Sequence, residues 1–159
     1  MCGICGFIGS DNAYQKIMDS LYQLQNRGYD SAGVAVLDDK GETICVKRQG
    51  KVEALAAAIK EQAPLGTTGI AHTRWATHGV PSERNAHPHQ SGNRFSVVHN
   101  GIIENYASLK KMLSDNCFHF KSDTDTEVLV NLIEFIKINQ KVKIGKAVQI
   151  ALSQVVGAY

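Results

Sequence analysis

A short apolar run from Ile4 to Ile8, closed by Gly9, has the pattern of a buried strand. Ser10, Asp11 and Asn12 follow as candidate N-caps, after which Ile17, Leu21 and Leu24 recur at helical spacing along one face. Gly28 is expected to close that helix. Apolar segments over 32–37 and 43–48 are separated by Asp38-Asp39-Lys40-Gly41, turn residues that predict a hairpin. A short helix is expected over 52–62. Beyond Pro64-Leu65-Gly66, strands are expected over 69–73 and 95–99.

Between those last two strands, residues 75–93 show no sustained period, yet they gather Trp75, Thr77, His78, Asn85, His87 and His89. This stretch holds the only tryptophan and three of the six histidines. Long irregular segments in compact domains are commonly binding loops, so this one is expected to carry function. After Asn100-Gly101, helical periods run over 105–114, 125–137 and 144–154. Thr124 and Glu127 have the spacing of a reciprocal capping box, which places Asp125 in the first turn of the second of these helices. Residues 155–159 read as the start of a further strand, so the chain is expected to be C-terminally truncated. Mixed strands and helices in this order predict an α+β or layered α/β fold.

The chain has 159 residues, of which 43% are hydrophobic and 20% charged, consistent with one globular domain or part of a larger protein. A formal charge of +2, with Lys and Arg dispersed, argues against a nucleic-acid or anionic-membrane surface and for a small-molecule partner. No apolar run is long enough to span a bilayer, and residues 1–30 lack the succession of a secretory signal, so a cytoplasmic location is expected. Cys2, Cys5, Cys45 and Cys117 are too sparse for a disulfide scaffold. Cys2 and Cys5 have metal-ligand spacing and could be joined by His87 and His89, but a zinc site usually offers a second close pair. Cys5 reads more simply as a small core residue, and neither a metal nor a cofactor is expected.

Cys2 is the main chemical signal. With Met1 removed, this residue carries both a thiol and a free α-amine, which titrates near ~7.7–8.0 and is partly neutral around pH 7. Nucleophile and base then reside on one residue, whereas an internal cysteine needs a separately positioned base. A cysteine after the initiator also arises by chance, so the position alone does not establish the chemistry.

The blocks MCGICGFIG, NRGYDSAGVAV, GIAHTRWATHGVPSERNAHPH, VVHNGIIENY and SDTDTEV together span nearly the whole chain. In order and spacing they resemble the glutaminase domain of the glucosamine-6-phosphate synthase family, the isomerising glutamine–fructose-6-phosphate aminotransferases. Other class II amidotransferases, such as phosphoribosyl-pyrophosphate amidotransferase and asparagine synthetase, share the N-terminal Cys-Gly-Ile and an Asn-Gly element, whereas the HTRWATHG and HNGIIENY blocks point to the sugar enzymes. The resemblance implies an N-terminal-nucleophile fold of two stacked antiparallel sheets between helical layers. It further implies that residues 1–159 are a type-2 glutamine amidotransferase domain lacking its later strands and the C-terminal sugar-isomerase region.

By the same resemblance, Cys2 attacks the side-chain amide of glutamine to give a γ-glutamyl thioester, and the Asn100 side chain with the Gly101 N–H stabilises the oxyanion. Arg74 is implied for the substrate carboxylate and Asp125 for its ammonium, with Trp75, Thr77 and His78 lining the pocket. Arg27 is implied to orient the N-terminus. The planar fork of Arg74 suits a carboxylate on chemical grounds alone. Asp125 also suits a helix N-terminus without any ligand, at roughly 0.3–1 kcal/mol. Partners implied are glutamine and the sugar-isomerase region, in a homodimer when full-length. A Met1-retaining form is expected to be inactive because its cysteine nitrogen is an amide. Two alternatives stay open: a class II amidotransferase with a non-sugar acceptor, and a glutamine-binding fragment without turnover.

Overall fold

The computed structural model describes residues 2–60, 63–76, 80–92 and 94–159. Strand β1 (Gly3–Ile8) leads to helix α1 (Ala13–Leu24). Of the three candidate caps, Asn12 is the one used: its side-chain oxygen accepts from the Tyr14 N–H at 2.9 Å. The helix stops at Leu24 and tightens into a 3-10 turn at Gln25–Arg27. Gly28 therefore does not close it. That glycine is extended, and a Cβ there would lie 2.6 Å from the carbonyl of Thr73, so its role is to let the chain pass close to a strand.

Strands β2 (Ser31–Leu37) and β3 (Thr43–Gln49) form the expected hairpin. Asp38 closes its turn by accepting from the N–H groups of Lys40 at 2.9 Å and Glu42 at 2.7 Å. Helix α2 (Val52–Ile59) follows, and Glu61 and Gln62 of the expected helix lie outside the described residues. Strand β4 (Thr68–Arg74) then inserts between β1 and β2, antiparallel to both, giving the order β1-β4-β2-β3.

Alternation along the strands separates two faces. Val34 and Val36 of β2 and Ala71 of β4 point towards α1 and α2, where Ile17, Leu21, Leu55 and Ile59 complete a buried core. Ser31 and Gly33, paired with Arg74 and His72, point the other way. That second face meets an antiparallel pair, β5 (His89–Ser91) and β6 (Phe95–Val97). Behind this pair lies helix α4 (Asp125–Gln140), flanked by α3 (Tyr106–Asp115) and α5 (Ile144–Gln154) in a second core around Leu113, Leu132, Ile136 and Ala147. Two short strands, β7 (Ile102–Ile103) and β8 (Gly157–Ala158), pair beside it. The order is helices, sheet, sheet, helices: an α+β sandwich.

Three further sequence expectations change. The strand expected over 95–99 ends at Val97, so Asn100-Gly101 does not directly follow a strand. Residues 75–93 are not irregular throughout, since they include β5 and buried Asn85, His87 and His89. These polar side chains are paired internally: His89 Nε2 with Thr124 Oγ1 at 2.9 Å, and Asn85 with the Val80 carbonyl at 3.0 Å and the Asp123 N–H at 3.0 Å. The capping box does not form. Thr124 has no side-chain capping bond, and Glu127 instead accepts from the N–H groups of Lys121 at 2.7 Å and Ser122 at 2.6 Å. Asp125 does occupy the first turn of α4. Among the described residues, no helix is long and apolar enough to cross a membrane.

Candidate active site

At the end of the large sheet where β1 begins and β4 ends, a cavity of about 360 Å³ opens between the two sheet layers. That volume is in the range of small-molecule sites, from about 300 to 1,000 Å³. Cys2, Asn100 and Gly101 line it together with Arg74 and Asp125. Trp75 and Arg27 complete the set of described residues expected at the site. Thr77 and His78 lie outside the described residues.

The N-terminal strand sets the position of the thiol. Thr73 Oγ1 accepts from the Gly3 N–H at 3.1 Å and reaches the Leu24 carbonyl at 3.4 Å, tying the start of β1 to β4 and to the end of α1. The Trp75 N–H donates to Cys2 Sγ at 3.1 Å, and Sγ lies 3.5 Å from the Trp75 carbonyl oxygen. The Trp75 ring is about half exposed and tilts against Tyr29 with centroids 5.4 Å apart. Asp30 accepts from the Ala76 N–H and from Ser31 Oγ, holding the chain that leaves β4 against the start of β2.

Across the thiol, Asn100 Nδ2 donates to the Cys2 carbonyl at 3.1 Å. The backbone carrying it is anchored through His99, whose Nδ1 lies 3.0 Å from Thr126 Oγ1 and whose Nε2 lies 3.0 Å from the Ala158 carbonyl. Gly101 is pressed against the same carbonyl: a Cβ there would lie 2.0 Å from Ala158 O and 2.8 Å from His99 Nε2. Replacing Gly101 by Ala is therefore expected to push β8 off β7 and to destabilise the fold by about 1–3 kcal/mol, as overpacking does. Urea unfolding would measure this, and an unchanged midpoint would contradict the close approach.

Opposite charges face this space from separate elements. Arg74, at the end of β4, is buried, and so is Asp125 at the start of α4. Asp125 accepts from the Ile103 N–H at 2.7 Å and the Thr126 N–H at 3.0 Å, so its carboxylate is held by β7 and by the first turn of its own helix. A helix N-terminus favours that negative charge.

Several residues given no role in the reaction from the sequence also line the cavity: His72, His87, His99, Ile102, Thr124 and Thr126. For His72 a signal was present, because it lies two residues before Arg74 on one strand and so shares its face. The others come from loops, from β7 and from a helix terminus that only folding brings together. Burial holds His72 down to about 4 and His89 down to about 3, and pushes His87 well below the usual imidazole range. Near neutral pH these rings are uncharged. Among the described residues, no three His, Cys, Asp or Glu side chains converge as a metal site.

A thiol at the start of the first strand, an Asn-Gly pair and buried side chains of both charge types thus line one cavity. Residues 57–142 match the family model described as "Glutamine amidotransferase domain". The chain belongs to the glutamine amidotransferase family. It is 51% identical over its whole length to the glutamine–fructose-6-phosphate aminotransferase (isomerizing) of Bacteroides thetaiotaomicron, and 50% identical to that of Shewanella oneidensis. It spans 26% of the length of each of these relatives. Among solved structures, the glutamine phosphoribosylpyrophosphate amidotransferase of B. subtilis superposes with a TM-score of 0.81 at 28% identity, over 97% of this chain and 33% of that one. The structure described as the allosteric regulatory enzyme of purine biosynthesis gives 0.83 at 29% identity, over 98% of this chain and 34% of that one. The fold is that of the N-terminal-nucleophile amidotransferases.

Proposed function

We propose that this chain hydrolyses glutamine to glutamate and ammonia, and that the ammonia serves glucosamine-6-phosphate synthesis from fructose-6-phosphate. The observation that carries the hydrolysis is the placement of Cys2 within hydrogen-bond contact of both Trp75 and Asn100 at the mouth of one cavity. In Met1-free protein the α-amine of Cys2 takes the thiol proton, and the sulfur attacks the amide carbon. Asn100 Nδ2 carries two hydrogens, so its bond to Cys2 leaves a donor for the oxyanion beside the Gly101 N–H. The amine then protonates departing ammonia, and water releases glutamate from the thioester.

Arg74 takes the α-carboxylate and Asp125 the α-ammonium, which selects glutamine over simple amides. Trp75 walls the pocket, Thr77 and His78 are carried as substrate-binding residues on the family resemblance alone, and Arg27 orients the N-terminus. The fructose-6-phosphate acceptor rests on the whole-chain identity to aminotransferases of that name. On this reading, residues 1–159 act as the glutaminase part of a longer homodimeric protein whose C-terminal sugar-isomerase region receives the ammonia. A cytoplasmic location goes with it, because the thiol must stay reduced.

The test is glutamate release by Met1-free protein, run beside Asp125→Asn. The variant is expected to lower kcat/KM for glutamine by at least about 30-fold, in keeping with the roughly 2 kcal/mol or more lost with one member of a buried charge pair. An amide lacking the α-ammonium should lose far less. Equal losses for both substrates would remove Asp125 from ammonium recognition, and absence of glutamate release from the parent protein would remove the hydrolysis itself.

A further inference from the structure

His72 is almost fully buried, and its Nε2 lies 2.9 Å from Asn100 Oδ1. On the other side of the same carboxamide, Nδ2 meets the Cys2 carbonyl oxygen, which can only accept. The amide therefore has one workable orientation, with Nδ2 towards Cys2 and Oδ1 towards His72, and the imidazole must carry its proton on Nε2. We infer that His72 is a positioning residue for the oxyanion donor, holding the Asn100 carboxamide with its N–H groups directed at the cavity through an Nε2–H bond to Oδ1. The inference rests on the role proposed above for Asn100.

The surrounding structure is built to hold this ring. His72 pairs in register with Gly33 on β2, and a Cβ at Gly33 would lie 2.1 Å from the His87 carbonyl oxygen. Only glycine lets that segment settle on the sheet. The His87 ring then stacks on His72, with centroids 4.2 Å apart and 14° between planes. His87 Nδ1 also accepts from the His99 N–H at 3.4 Å, so one imidazole braces both His72 and the backbone just before Asn100. Burial holds His72 at about 4, which keeps the ring neutral and suits it to a fixed donor rather than a proton shuttle.

The test uses Met1-free protein with His72→Phe, which keeps a stackable ring without the donor, and His72→Gln, which keeps an N–H at similar reach. His72→Phe is expected to lower kcat about 100-fold, the scale of a lost oxyanion donor, while KM moves less than about threefold. His72→Gln should recover at least about tenfold of that loss. Adding His72→Phe to Asn100→Ala should cost nothing further, because both act through one amide. A near-normal kcat for His72→Phe, or losses that multiply in the double variant, would overturn the inference. ¹⁵N NMR of unaltered protein reads the contact independently of turnover: an Nε2–H tautomer supports it, and an Nδ1–H tautomer overturns it. Absence of glutamate release with an Nε2–H tautomer would defeat the proposed function while upholding the contact.

Discussion

Cys2→Ala is expected to lower glutamate release by at least about 10⁴-fold, since loss of a nucleophile removes the covalent route altogether. Binding should survive. The groups proposed for the substrate's charged end, Arg74 and Asp125, are held by β4 and α4 rather than by the thiol. Glutamine affinity measured by calorimetry should therefore stay within about threefold of the parent value. Comparable loss of binding and turnover would show that Cys2 organises the pocket instead of performing the chemistry. The Met1-retaining form makes the complementary case. Its thiol is present but its nitrogen is an amide without useful basicity, so mass spectrometry should associate activity only with Met1-free protein. Turnover by verified Met1-retaining protein would transfer the base role to another group.

Mild acid is expected to destabilise the fold steeply, because the buried histidines resist protonation in place. Unfolded histidines titrate near ~6.5, whereas burial holds His72 at about 4 and His89 at about 3, with His87 also well depressed. Above pH 6.5 both states are neutral, and these groups cost nothing. As pH falls below 6.5 the unfolded chain takes up protons that the folded chain refuses, so stability declines. The decline attributable to His72 levels off only near pH 4. Each such residue contributes up to about 1.4 kcal/mol per pH unit, and His72 alone on the order of 3 kcal/mol across its window. Against a typical total of about 5–15 kcal/mol this is a large fraction. Urea midpoints between pH 7 and pH 5, where most carboxylates are still ionised, would measure it. A flat profile there would mean that these rings are solvated or already charged.

The periodic parts of the chain were readable before folding. The hairpin over Asp38–Gly41, the helix bearing Ile17 and Leu21, and the strand ending at Arg74 all follow from local spacing and turn residues, because each buries one face against a core. The family blocks brought Cys2, Arg74, Trp75, Asn100, Gly101 and Asp125 onto one candidate roster, and the fold places all six around a single cavity. The order within the segment over 75–93 was missed for a physical reason. Its inward side chains are histidine and asparagine, which mimic a surface pattern in sequence but find their partners at Thr124, Asp123 and His72 after folding. Glu127 was misread in the same way: its spacing from Thr124 suited a local cap, but nearby backbone donors at Lys121 and Ser122 took the carboxylate.

Local pattern was enough to outline the longer strands and helices, and the family blocks to name candidate residues for the nucleophile and for an amino acid's two charges. Neither fixed their mutual distances, nor the burial that keeps His72 neutral beside Asn100. Those depend on Gly33 admitting His87, on Gly101 lying against Ala158, and on Asp125 reaching the Ile103 N–H. Each is a contact between residues far apart or on different elements, and a linear period records only neighbours along one element.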